Sequence, residues 1–90
     1  STSTAIDVTS AVTEVNATSA AAPCTLADGA NGQIKTIINV STSGTNAITI
    51  TPTNLRGFTT ATLNAPGETV TLLFKNSKWY VIGNNGVTFA

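Results

Sequence analysis

The sequence predicts a small all-β domain, and three observations carry that expectation. Val, Ile and Thr recur in alternating runs, the runs are separated by turn dipeptides such as Asp28-Gly29, Asn31-Gly32 and Pro66-Gly67, and charged residues make up only 9% of the chain. The expected architecture is a single-domain antiparallel β-sandwich or barrel built from short hairpins, with an extended N-terminal arm; the strand count fits a β-prism as well. Residues 1–22 are expected to form the arm and one or two short strands, and residues 23–90 the antiparallel β domain.

The opening STSTAIDVTSAVTEVNATSAAAP alternates small polar and β-branched residues around Ile6, Val8, Val12 and Val15 before loosening towards Pro23. A helix over Thr9 to Ala22 competes, because Ala favours it, but interleaved Thr, Val and Asn oppose it and no capping box stands out. ADGANG then supplies two turn dipeptides between Leu26 and a strand from Gln33 to Val40, and reads as a hairpin. On that strand Ile34, Thr36, Ile38 and Val40 share one face and Lys35, Ile37 and Asn39 the other; the Ile34 and Ile38 face is expected to point inward.

STSGTN reads as a turn and AITITP as a short strand ended or edged by Pro52. The stretch to Glu68 is the least regular, broken by Gly57. In the closing segment Val70, Leu72 and Phe74 alternate with Thr69, Thr71, Leu73 and Lys75, Asn76-Ser77 reverses the chain, and KWYVI runs back. Asn84-Asn85-Gly86 is expected to close a second hairpin into VTF. The expected core is Ile34, Ile38, Val70, Leu72, Phe74 and Ile82. Thr25-Leu26, a Gly turn and a long strand are echoed by Thr62-Leu63, Pro66-Gly67 and ETVTLLF, an echo that shared β composition also produces.

Ninety residues bury only roughly 60% of their unfolded surface, so one such core is marginal without a staple or a partner. A single cysteine, Cys24, cannot close an internal disulfide and is expected to be a small buried apolar group; with no His a zinc site lacks its usual ligands. Four cationic and four acidic side chains leave no basic face for phosphates, which argues against nucleic-acid binding. No apolar run approaches bilayer-spanning length, and the first residues lack the regions of a signal peptide. A first residue Ser is what removal of an initiator Met leaves, and a complete small protein is expected.

Chemistry is sparse. Asp7, Glu14, Asp28 and Glu68 show no spacing that suggests a catalytic pair, a Ser or Cys nucleophile would have to recruit Lys35, Lys75 or Lys78, and DGANG precedes a strand where a phosphate cradle needs a helix. No catalytic residue, metal ligand or cofactor is assigned. Trp79 and Tyr80 are the candidate interface or ligand aromatics: as strand neighbours they face opposite sides, one packing the core and the other a subunit contact or a glycan. Asn16-Ala17-Thr18 and Asn39-Val40-Ser41 match glycosylation sequons, which a chain this rich in Asn and Thr forms by chance.

TLADGANGQIKTI, then ITITP, then TATLNAPGETVTLLFKNSKWYVIG ending in GVTF resembles the small all-β modules of bacteriophage and related viral structural proteins: head decoration or cement proteins, head fibres and tail fibres. The likeness covers roughly Cys24 to Phe89. It implies a virion component at the capsid surface that acts by assembly and not by catalysis, as a homotrimer, with the major capsid protein as partner. A compact decoration protein is favoured, since no repetitive fibre shaft precedes the module. Ser1, Thr2, Ser3, Thr4, Ala5, Ile6, Asp7 and Val8 are the expected contact segment, loose in the free protein and pairing with a capsid strand on docking. The rival is a receptor-binding tip in which Trp79 or Tyr80 grips a host glycan.

Overall fold

The computed structural model describes residues 4–16, 22–42 and 47–90. Among them nine strands follow in chain order: β1 (Thr4–Ile6), β2 (Val12–Val15), β3 (Ala22–Leu26), β4 (Ile34–Asn39), β5 (Ile48–Pro52), β6 (Ala61–Leu63), β7 (Thr69–Lys75), β8 (Lys78–Asn85) and β9 (Thr88–Phe89). They form a five-stranded sheet ordered β1-β3-β5-β6-β9 and a four-stranded sheet ordered β2-β4-β7-β8. Ile6, Cys24, Leu26, Ile48, Ile50 and Leu63 from the first pack against Ile37, Val70, Leu72, Phe74 and Trp79 from the second. The all-β sandwich is as expected.

The winding of the first half differs from the expected hairpins. The chain changes sheet at every connection from β1 to β5, so β1, β3 and β5 lie parallel in one layer and β2 and β4 parallel in the other. A connection that crosses to the opposite layer, and returns one strand later, brings the chain back beside its predecessor in the same direction. ADGANG is such a crossing and not a hairpin. From β5 onward the pairing is antiparallel, and Asn76 and Ser77 both take positive φ (53° and 63°), the geometry a two-residue hairpin turn requires. Asn84 and Asn85 continue β8; the chain turns at Gly86 and β9 joins β6 in the other sheet, so the second expected hairpin is a crossing too.

The internal echo has a structural counterpart. Thr25-Leu26 and Thr62-Leu63 end β3 and β6, both Leu side chains are fully buried, and each following loop carries the chain from the five-stranded to the four-stranded sheet. β4 and β7 then pair directly.

Two other expectations are corrected. From Thr4 onward there is no free arm: β1 pairs with β3 and Ile6 belongs to the core, because its side chain finds apolar cover there. The short strands expected in this region are present as β1 and β2; Ser1, Thr2 and Ser3 lie outside the described residues. On β4 the alternation is as read but the face is reversed. Lys35, Ile37 and Asn39 point inward, all fully buried, whereas Ile34 is 52% exposed and Ile38 half-buried. On β8, Trp79 and Val81 turn to the core, which leaves Ile82 outward and 51% exposed.

Candidate interaction surface

The polar side chains that enter the core are fully occupied in holding it. The Lys35 ammonium, at the end of β4 nearest the first crossing, donates to the Ser10 carbonyl and to Ser10 Oγ, both at 2.8 Å, and to Thr13 Oγ1. Burial pushes its pKa down, with the nearby Asp7 carboxylate acting the other way. Asp7 itself is exposed; hydrogen bonds from the Thr9 backbone and hydroxyl hold its carboxyl below the usual range, with Lys35 adding to the shift. Gln33 Nε2 donates to the Val8 carbonyl, so residues 7–13 are tied down along the rim of β4. Asn39, at the opposite end, donates from Nδ2 to the Leu63 carbonyl (3.1 Å) and accepts from the Ser41 N–H, which joins the two sheets. Its burial puts the second sequon out of reach of a solvent-side enzyme.

Trp79 is a structural hub. Its side chain is fully buried, its Nε1 donates to the Ala27 carbonyl (3.0 Å), and its ring meets Phe74 edge-on at 5.1 Å. Its backbone pairs with Asn54 and Arg56. Gly29 lies flat against the indole: a Cβ there would meet Gln33 Oε1 and sit 3.0 Å from the ring carbons. Of the two candidate aromatics, Trp79 is thus the ring that packs the core, which leaves only Tyr80 for a contact. Tyr80, its strand neighbour, is half-buried on the outward side.

Two of the four acidic side chains brace loops. Asp28 accepts both contacts of the Asn54 amide at 3.0 Å, and Glu68 accepts from the Asn64 N–H at 2.6 Å. Cys24 is buried, as expected, and burial pushes its thiol pKa up. Of the expected contact segment, Ala5 and Asp7 are exposed, Val8 half-buried and Ile6 in the core, while Thr4 is placed by its backbone pairing alone.

What the sequence reading missed is the difference between the two outer faces. The five-stranded sheet presents threonines: Thr25 beside Thr51, and Thr49, Thr62 and Thr88 in a row across β5, β6 and β9. The four-stranded sheet presents Val12 on β2, Ile34 and Ile38 on β4, Leu73 on β7, and Tyr80 and Ile82 on β8, with Ile34, Leu73 and Tyr80 directly opposite one another. Three of the four large, well-exposed apolar side chains among the described residues (Val12, Ile34 and Ile82) are on this face. The signal was in the sequence: Ile37-Ile38 and Leu72-Leu73 are adjacent apolar pairs, and adjacent pairs on a strand make both faces apolar, the pattern of a sheet covered on both sides.

No family model matches the chain, and a search of curated proteins finds no match.

Proposed function

We propose that this chain is a non-enzymatic structural module of a virion, of the capsid decoration or cement kind, that works by associating with copies of itself and with a capsid surface. The observation that carries the reading is the outward apolar face of the four-stranded sheet, on a domain whose inner face is already filled. A solvated sheet alternates apolar-in and polar-out, and the threonine face of the other sheet does so; the four-stranded sheet departs from that rule in the direction that association requires. The phage-module resemblance of Cys24 to Phe89 supplies the virion context, and three copies is the count it implies.

The earlier picture of a loose arm adding to a capsid strand changes with β1 already paired inside the domain. Deleting Ser1 to Asp7 would remove Ile6 from the core, so loss of capsid binding in that variant would report on folding as much as on contact. The sound test is the solution molar mass by light scattering across a dilution series. An oligomer at micromolar concentration supports the assembly reading. A monomer at every concentration overturns it.

A further inference from the structure

The face just described carries its few charges in an arrangement that suits one particular occupant. Glu14 lies on β2, in the row it shares with Ile38 and Thr69. Lys75 and Lys78 face each other across the β7-β8 turn, on the same outer face, at the far end of those strands and towards the opposite edge of the sheet. Between these opposite corners the surface is Val12, Ile34, Ile38, Leu73, Tyr80 and Ile82, interleaved with Thr36, Thr69 and Thr71. No charged residue of β2, β4, β7 or β8 lies within that central field.

We infer that the four-stranded sheet's outer face is the surface through which two copies of this chain dock on one another. An isologous contact needs a patch complementary to itself. A copy turned over on an in-plane two-fold axis across the Glu14-to-lysine diagonal sets each Glu14 against the other's Lys75 and Lys78, while the apolar centres stack. An unrelated partner would have no reason to find acid and base at the two ends of one diagonal. Four strands about 4.8 Å apart and roughly 20 Å long make a face of a few hundred Å². That is small beside the roughly 800 Å² per partner of a standard interface, so the contact is reversible and concentration-dependent. The inference rests on the reading that the chain assembles with its own copies; a two-fold contact through one face yields pairs, so it takes a dimer in place of the three copies that the resemblance implies.

The test uses the full chain, with light scattering or sedimentation over a dilution series and circular dichroism to confirm folding. Ile34→Lys is expected to raise the dissociation constant at least tenfold, and Thr51→Lys on the threonine face to leave it unchanged. Glu14→Lys weakens association, and adding Lys75→Glu and Lys78→Glu to it restores the parent value by swapping the corners. A folded Ile34→Lys variant that associates like the parent overturns the inference while the assembly reading stands, as does a charge swap that fails to restore. A parent that is monomeric throughout overturns both.

Discussion

Lys35 Nζ lies 2.8 Å from both the carbonyl and the hydroxyl oxygen of Ser10, so a lysine with no exposed surface fastens the first sheet-to-sheet crossing to the rim of β4. Two effects compete at this site. Removing the ammonium releases the cost of burying a charge, whereas removing the side chain's bulk leaves a hole under residues 10–13. Ser10 Oγ and Thr13 Oγ1 are 3.3 Å apart and can satisfy one another once the lysine is gone. Lys35→Met should therefore stay within about 1 kcal/mol of the parent, as replacing buried charges by apolar groups of like volume often does. Lys35→Ala should lose roughly 2–4 kcal/mol to the cavity. Urea midpoints of the two variants decide: equal losses would mean that the hydrogen bonds, and not the volume, hold the crossing.

Trp79→Phe should destabilise by roughly 1–3 kcal/mol, since the smaller ring keeps the edge contact with Phe74 but leaves the Ala27 carbonyl without its indole donor. The effect should be local as well as global. Amide exchange in residues 27–33 should speed up more than in β7, because Gly29 rests on the lost part of the ring and Ala27 loses its indole donor. A uniform acceleration across the chain would show that the loop does not depend on Trp79.

The class of the fold was legible because its signals are local. Asn76-Ser77 admits positive φ at both positions, and Val70, Leu72 and Phe74 keep strict phase with the core. The parallel winding was not legible, since a loop that crosses between layers uses the same Asp, Asn and Gly residues as one that reverses a hairpin, and ADGANG and NNG fit either. The inward face of β4 was misread for a different reason. Counting apolar residues favours Ile34 and Ile38 over Lys35, Ile37 and Asn39, but the two polar members of the buried face sit at the strand's ends, where carbonyls and hydroxyls of other segments satisfy them. For the candidate surface, alternation placed Trp79 and Tyr80 on opposite sides. Phe74, opposite Trp79 across the Asn76-Ser77 hairpin, points to the indole as the inner ring, but the indole's hydrogen bond to the Ala27 carbonyl joins residues distant in sequence.

Asn39→Ala should cost roughly 1–3 kcal/mol through the Leu63 carbonyl and the Ser41 N–H, which lose a buried partner. Asn39→Asp is the sharper comparison. A carboxylate can still accept from Ser41 N–H but cannot donate to Leu63 O, so at neutral pH it should be worse than Ala, and it should recover as acid protonates it. Thermal melts of both variants at pH 7 and pH 4 check the order; an Asp variant more stable than Ala at pH 7 would contradict the buried donor role.

Stability should depend on pH through three groups whose signs differ. Asp7 has its pKa lowered by the Thr9 hydrogen bonds, so its contribution is present above the ordinary carboxylate value of about 3.9 and is lost as pH falls through the lower folded value. Asp7→Asn should flatten that acid limb. Lys35 also has its folded pKa lowered, but as a base: between the folded value and about 10.4 the unfolded chain binds more protons, and stability rises with pH. The Cys24 thiol is shifted up, so above about 8.5 the unfolded chain loses a proton that the folded chain keeps, and stability falls with pH. The two alkaline effects oppose one another in the parent. Denaturant titrations should show a rise approaching pH 10 in Cys24→Ala that is absent from the Cys24→Ala, Lys35→Met double variant. A rise that persists in the double variant would assign it to a group other than the lysine under the first crossing.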